Sequence, residues 1–220
     1  MKKLILITIL LVFVFSLPAA AKTNFEFDIG LIEGENITED YIPGAKITLS
    51  TDQYNYNDLY DLLEIHSTFG IDDPDYNFIA SDLMLYSAIG GWESDGKYIG
   101  IGLKHLFLDN SQASDFIFNS DITAYAVPLS LKLEEEHEKL KTFVTASVFQ
   151  GVYSMTVPGE DAKSDFNGFS IDLGVKFKLN TLDLKLSYKQ ENYSFDRDKD
   201  VVGATDFEDD YKGLFLGMGF

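Results

Sequence analysis

Histidines near carboxylates are the residues of this chain best suited to acid–base chemistry. His66 precedes Asp72 and Asp73 by a few positions, and His105 precedes Asp109 in the same way. A histidine within hydrogen-bond reach of a carboxylate can act as a general base in hydrolysis. The sequence has neither a Gly-x-Ser-x-Gly elbow nor a His-Glu-x-x-His zinc motif. We therefore predict that the chain is not an enzyme, with a hydrolase built on His66 or His105 as an alternative.

Alternating aspartates near the C-terminus could bind a divalent cation. Asp196, Asp198 and Asp200 are separated by single basic residues, and carboxylate oxygens are the ligands that Ca²⁺ prefers. The segment departs from a calcium-loop pattern, because Val201 stands where a glycine is needed and Glu208 falls one place late. We keep the three aspartates as candidate Ca²⁺ ligands and predict no catalytic or cofactor-binding residue.

The composition excludes several classes of function. The 220 residues include 17 Lys plus Arg against 36 Asp plus Glu, for a net charge of −19. Such a surface repels nucleic acid, whose binding needs basic residues to neutralise phosphates. The absence of cysteine excludes disulfides and thiol catalysis, and the 45% of hydrophobic residues is too many for a disordered chain.

The first 21 residues have the pattern of an export signal. Lys2 and Lys3 precede an apolar run from Leu4 to Leu17, and Pro18 is followed by three alanines. This order of basic, apolar and small residues is typical of a secretory signal peptide, and the run is shorter than the ~20 residues of a membrane-spanning helix. We predict a signal peptide at 1–21 and one domain at 22–220.

The candidate histidines and aspartates must be positioned by β-strands, because residues 22–220 show the alternation typical of strands. From Phe169 to Leu179 every odd position is apolar, and Leu182 to Lys189 alternates again after Asn180-Thr181. Period-two alternation on both sides of a two-residue turn predicts a hairpin. The same pattern elsewhere predicts ten strands, with eight as the fallback: 24–33, 45–51, 59–70, 81–92, 97–107, 121–133, 140–155, 166–179, 182–194 and 210–220.

The predicted connections alternate between long and short. The short ones are 52–58, 93–96, 134–139 and 180–181, and the long ones are 34–44, 71–80, 108–120, 156–165 and 195–209. An even number of strands with short turns on one side and long loops on the other is typical of outer-membrane barrels. The long connections carry 17 acidic residues against three basic ones, so we predict acidic extracellular loops.

Period-two strands also form soluble barrels with an apolar interior, and three features favour the membrane. Charges of both signs occupy the polar set of positions, among them Glu26, Asp28, Lys46, Glu64 and Lys104. Enclosed charges are costly unless paired, so we predict a lumen joined by ion pairs and too full for a wide pore. Aromatic residues stand near strand ends, where interfacial girdles would lie: Phe25, Phe69, Trp92, Tyr98, Phe107, Phe177, Tyr188 and Phe220.

The third feature is the C-terminus, where apolar residues alternate from Leu214 to a terminal Phe220. This segment resembles the recognition strand that the outer-membrane assembly machinery reads in bacterial barrels. With the signal peptide, the chain resembles the broad family of small outer-membrane β-barrels of OmpA, OmpX or YfaZ type. The resemblance implies an all-β, antiparallel, up-and-down transmembrane barrel in the outer membrane. Its implied partners are outer-membrane lipid and, through Phe220, the assembly machinery.

The function expected from these features is structural or a surface interaction through acidic extracellular loops, without catalysis. A narrow cation-preferring channel is the first alternative, because a negative mouth attracts cations. An omptin-like barrel hydrolase is another, although the omptin sequence signatures are absent. A soluble periplasmic ligand-binding barrel is the last.

Overall fold

A computed structural model describes residues 22–34, 42–52, 61–72, 76–89, 96–109, 122–157, 160–180, 182–196 and 206–220. The predicted signal peptide at 1–21 lies outside these residues. Within them, no helix is long and apolar enough to cross a membrane.

Ten antiparallel strands form one closed barrel in which each strand pairs with its sequence neighbours and β10 pairs with β1. This arrangement confirms the predicted fold class and strand number. The strands are β1 (Lys22–Gly34), β2 (Ile42–Asp52), β3 (Leu62–Asp72), β4 (Tyr76–Ala88), β5 (Lys97–Asp109), β6 (Ile122–His137), β7 (Leu140–Val157), β8 (Glu160–Leu179), β9 (Leu182–Phe195) and β10 (Phe207–Gly219).

The two ends of the barrel differ. The termini end carries Lys22, Gly219 and the tight turns after β6 and β8, where Glu138 and Asn180 have positive φ angles of 47° and 53°. Positive φ is the conformation that tight hairpin turns require. The connections after β2 and β4 also lie at the termini end, and the loop end carries those after β1, β3, β5, β7 and β9, including the hairpin between Val157 and Glu160.

Three predicted connections are largely strand, and here the sequence interpretation was wrong. β7 and β8 stay paired as far as Val157 and Glu160, so the predicted loop 156–165 is almost entirely a hairpin. Segment 71–80 is mostly β3 and β4, and 134–139 is mostly β6, which pairs to His137. The sequences of these three segments lack the clear alternation of apolar and polar residues that reveals strands elsewhere.

The outer wall of the barrel is apolar. On β8 the side chains of Phe169, Leu173 and Val175 point outward and are exposed. Lys176 of the same strand and Lys185 of β9 line the interior instead. Exposed apolar side chains continue on the other strands, for example Ile29, Leu31, Ile101, Leu103, Leu129, Leu131, Leu186, Leu214 and Leu216. A continuous apolar outer surface suits lipid. The soluble-barrel alternative requires the opposite facing, with the apolar residues inside.

The predicted aromatic girdle is confirmed only in part. Phe25, Phe177 and Phe220 are exposed on the outer wall near the termini end. Tyr98 was wrongly assigned, because it packs inside the barrel against the buried cluster that contains Tyr86. Trp92 lies outside the described residues.

The barrel closes through the C-terminal strand. The backbone N–H of Phe220 donates to the carbonyl of Phe25 at 2.9 Å, and the N–H of Phe25 donates to the carbonyl of Phe220 at 3.2 Å. Further up this seam a Cβ added at Gly217 would lie 1.7 Å from Oδ1 of Asp28. Glycine at 217 therefore lets an acidic side chain of β1 lie flat over β10.

Candidate functional site in the lumen

The inward-facing side chains form two layers. We call the first the ionic layer; it fills the half of the lumen nearer the termini end. It consists of Glu26, Asp28, Lys46, Glu64, Asp82, Lys104, Lys132, Glu134, Asp172, Lys176, Lys185, Lys189 and Glu191. All five inward charges named from the sequence belong to it, which confirms the predicted lumen joined by ion pairs.

One group of ion pairs ties the last strands to the first ones. Lys185 of β9 contacts both Glu26 and Asp28 of β1 at 2.9 Å. Lys176 of β8 pairs with Glu26, and Lys46 of β2 pairs with Asp172 of β8. These contacts pass over β10 and hold the closing seam from inside, in the space that Gly217 leaves free.

Glu191 is the most highly connected carboxylate of the ionic layer. Nζ of Lys104 donates to its two oxygens at 3.1 and 2.9 Å, and Nζ of Lys189 lies 2.7 Å away. The hydroxyl of Tyr193 also donates to it. Because Glu191 is fully buried, these donors replace water as its partners, as a buried charge requires.

The second group of side chains, the aromatic layer, fills the lumen toward the loop end. It consists of Phe149, Tyr153, Phe166, Tyr193, Phe195 and Tyr211, all buried. Phe166 is central, with ring centroids of Phe195, Phe149 and Tyr193 at 5.0, 5.4 and 5.7 Å. Such centroid distances are those of favourable aromatic pairs, so the layer is a packed core.

The two layers meet through lysines and aromatic rings. Nζ of Lys104 lies 5.0 Å from the ring centroid of Phe149, and Nζ of Lys189 lies 5.8 Å from that of Tyr211. A cation over an aromatic face at this distance is attractive. The boundary between charged and apolar filling is therefore itself stabilised.

A small cavity of about 50 Å³ lies within the ionic layer. Its lining includes Lys46, His66, Asp172 and the hydroxyl residues Ser147 and Ser170. Since one water needs roughly 10–15 Å³ measured in this way, the cavity holds only a few waters.

The two histidines proposed from the sequence lie on opposite faces of the wall. His66 faces the lumen, where its ring nitrogens lie 3.2 Å from Oγ1 of Thr48 and 3.1 Å from Oε2 of Glu64. His105 faces outward, with its ring 5.1 Å from that of Tyr125. The structure therefore does not bring His66 and His105 into one site.

Of the candidate calcium ligands, the structure describes Asp196 only. Its carbonyl accepts a hydrogen bond from the hydroxyl of Tyr153 at 2.8 Å, and its N–H donates to the carbonyl of Asp165 at 3.0 Å. The side chain is exposed at the loop end. Asp198 and Asp200 lie outside the described residues, so the site stays a prediction. In the parts of the chain that are described, no group of three or more His, Cys, Asp or Glu is placed to hold a metal.

The sequence interpretation missed the aromatic layer. The signal was present in the alternation itself, because Tyr193 and Phe195 share the odd, lumen-facing positions of β9 with Lys185 and Lys189. On β8, Phe166 likewise shares the even positions with Asp172. The inward set therefore changes from charged to aromatic along a strand without changing its period.

Comparisons with known proteins show likeness to small outer-membrane β-barrels. No family model matches the chain, and a search of curated proteins finds no match. Among solved structures, Neisserial surface protein A is 12% identical and covers 91% of this chain and 97% of its own, with a TM-score of 0.40. The N-terminal β-barrel domain of Pseudomonas aeruginosa OprF is 8% identical, with coverages of 91% and 99% and a TM-score of 0.35. Ail, the attachment invasion locus protein of Yersinia pestis, is 10% identical, with coverages of 91% and 97% and a TM-score of 0.35.

Proposed function

We propose that the chain is a non-enzymatic bacterial outer-membrane barrel with a closed lumen, which anchors acidic surface segments at the outside of the cell. The observation that carries the proposal is the filled interior. An ionic layer and an aromatic layer occupy the lumen one above the other, and the cavity between their side chains is only about 50 Å³. A barrel filled in this way can interact with other molecules through its outer wall and its two ends, but it does not conduct solutes through its lumen.

The outer wall supports the membrane location. Four successive outward residues of β1, from Phe25 to Leu31, are exposed and apolar, and so are Leu214, Leu216 and Met218 of β10 and the terminal Phe220. Such a band is suited to the hydrocarbon of a thin outer membrane. The even strand number puts both termini at one end, which we assign to the periplasm. Export by the signal peptide at 1–21 and recognition of the strand ending at Phe220 belong to the same proposal.

The aromatic layer argues against a cation channel. Phe166 and Phe195 are fully buried, and Tyr193 nearly so. An ion that crossed this layer would lose most of its hydration among packed rings, which is costly. A negative outer mouth alone therefore does not make the barrel conduct.

The loop end supports a role at the cell surface. Asp165, Asp196, Asp206 and Glu208 are exposed there, and the β7–β8 hairpin extends past the last pair of β8 with β9 at Phe166. A surface of this charge repels other acidic surfaces and attracts basic or divalent-cation partners. Calcium binding through Asp196 and its neighbours remains part of this proposal.

Planar-bilayer recording tests the closed lumen. We expect the purified wild-type barrel to show no conductance above background, and a barrel carrying Phe166→Ala, Tyr193→Ala and Phe195→Ala together to show discrete openings. The triple variant must first show the heat-dependent gel shift of a folded barrel. Steady wild-type conductance with cation preference would replace the proposal with the channel alternative.

Fractionation tests the location. We expect the chain in the outer-membrane fraction, with gel mobility that changes on boiling because a folded barrel resists detergent. Recovery in the periplasmic fraction without detergent would support the soluble alternative. Hydrolysis of peptide or lipid substrates that is lost on His66→Ala or His105→Ala would support the enzyme alternative.

A further inference from the structure

Several charged side chains of the cavity lining keep partial exposure toward the termini end, although Tyr86 of the same lining is buried. At the termini end, the side chains of Lys141 and Lys176 are 26% and 18% exposed. Deeper in the ionic layer, those of His66 and Asp172 are still 20% and 15% exposed, although both lie inside the barrel wall. The aromatic layer beyond them is buried throughout. Solvent space therefore enters the lumen from the termini end and stops below the aromatic rings.

The cavity lining follows the same path. It runs from Glu134, Lys132 and Lys176 near the termini end to Lys104 and Lys189 beneath the aromatic layer. These residues belong to strands on several sides of the barrel, so the cavity is enclosed laterally by the wall. The side chain of Lys176 near the termini end is 18% exposed, whereas those of Lys104 and Lys189 at the far end are 1% and 5% exposed, so the cavity is open on the side of the chain termini.

Buried oxygens at this level still need a hydrogen-bond partner. Among the described residues, Oδ1 of Asp172 in the cavity lining is buried without a hydrogen-bond partner in the protein, and so is Oγ of Ser187, which lies between the lining residues Lys185 and Lys189 on β9. Buried polar atoms of this kind are normally satisfied by ordered water. Among the acceptors that the structure describes, Asp172 alone contacts Nζ of Lys46, although an ammonium group has three N–H donors. The site therefore offers both acceptors and donors.

We propose that this cavity is a hydrated vestibule, entered from the periplasm and closed by the aromatic layer, that takes water and neutral hydrogen-bonding molecules of one or two heavy atoms. Its size excludes larger molecules. The paired charges of its lining leave little net attraction for an ion. The assignment of the open end to the periplasm rests on the proposed function, whereas the one-sided access itself rests only on the lumen.

Methionine oxidation by hydrogen peroxide tests the vestibule with the protein as it exists. Peroxide is neutral, has two heavy atoms, and both donates and accepts hydrogen bonds. It transfers one oxygen atom to the thioether sulfur, giving a sulfoxide and water. Met84 lines the cavity and is 3% exposed, so its oxidation in the folded barrel reports entry of the probe.

The matched comparison is Leu106→Met, which puts the same side chain into the apolar half of the lumen, where Leu106 is fully buried. Leucine and methionine have similar volumes, so the variant is expected to fold. Both rates are measured by peptide mass spectrometry in a single variant whose folding is checked by its gel shift. We expect Met84 to be oxidised about tenfold or more faster than position 106, because a sealed position reacts only when the barrel opens.

The size limit gives a second comparison. tert-Butyl hydroperoxide performs the same oxygen transfer with a bulkier molecule, and we expect it to lose the preference for Met84. Equally slow peroxide oxidation at both positions would show a dry lumen, and equally fast oxidation would show that the aromatic layer does not close it; either result overturns the vestibule. Conductance of the wild-type barrel would overturn the proposed function separately, and the ratio of the two oxidation rates would still decide one-sided access.

Discussion

The ionic and aromatic layers fill the same barrel from the same set of inward positions by different physical means. The ionic layer uses directed contacts, such as those of Lys185 with Glu26 and Asp28, and each charge depends on a particular partner. The aromatic layer uses ring packing around Phe166, in which shape and volume decide stability. The difference explains why the described cavity lies in the ionic layer.

The ionic layer and the aromatic layer also contribute differently to the barrel. Ion pairs between distant strands, such as Lys46 with Asp172, require one arrangement of the strands and so help specify the closed barrel. The aromatic layer separates the two ends of the lumen, since its buried rings pack together around Phe166. Disrupting one layer at a time should therefore give distinguishable defects.

The largest expected effect comes from the aromatic layer. Phe166→Ala removes a ring that packs on Phe149, Tyr193 and Phe195, and we expect the free energy of unfolding to fall by about 3–5 kcal/mol. Urea unfolding in lipid vesicles, followed by gel mobility, measures it. The matched control is Phe169→Ala on the outer face of β8, where lipid fills the space and the loss should be smaller. Equal losses would mean that the aromatic layer is not a packed core.

The next effect comes from the centre of the ionic layer. Glu191→Gln keeps the shape of the side chain but removes the charge that Lys104 and Lys189 share, so we expect a loss of about 1.5–3 kcal/mol, the range for hydrogen bonds to charged groups. The same unfolding assay applies. Glu135→Gln, at an exposed position of β6, should change almost nothing. An unchanged stability in Glu191→Gln would show that the ionic layer does not depend on this carboxylate.

A smaller effect is expected where the seam meets the ionic layer. Gly217→Ala places a Cβ 1.7 Å from Oδ1 of Asp28, which must turn away from Lys185, so we expect a loss of about 1–2 kcal/mol from local overpacking. Gly219→Ala is the matched control, because its nearest neighbour would be Cγ of Glu26 at 3.2 Å. If the two glycine variants are equally stable, the close approach at Gly217 is not needed.

The smallest effect is expected outside the membrane, at the termini end. The hydrogen bond from Lys178 at 2.6 Å lowers the pKa of the Glu136 carboxyl from its usual value. Because the folded-state pKa is lowered, the pair stabilises the barrel above the unfolded-state pKa and loses this contribution as the pH falls through the folded-state pKa. The gain is below about 1 kcal/mol for so exposed a pair. An NMR titration should show the pKa of Glu136 rising in Lys178→Met; an unmoved pKa would contradict the contact.

The alternation along the sequence predicted the barrel because lipid and lumen impose opposite chemistry on successive residues. β8 and β9 show this most clearly, since their facing, their turn at Asn180 and their last pairs near Leu179 and Leu182 agree with the structure. The prediction was wrong at 156–165, because the sequence of this hairpin lacks the alternation of apolar and polar residues.

The sequence did not predict which charged residues form ion pairs within the lumen. Lys46 and Asp172 are 126 positions apart, and Lys176 and Glu26 are 150 apart. Alternation shows that each faces inward, but the partner depends on the stagger of all the strands between them. Whether an inward residue is ionic or aromatic could be read from the sequence; which residues meet could not.

Site-directed spin labelling along β8 tests whether the apolar face of the barrel wall contacts lipid. The chain has no cysteine to remove before labels are introduced. Labels at Phe169→Cys, Ser170→Cys and Ile171→Cys in lipid vesicles sample three successive positions of one strand. We predict high collision rates with oxygen, which dissolves in lipid, at 169 and 171, and low rates at 170. The highest oxygen accessibility at 170, with 169 and 171 protected, would contradict the account.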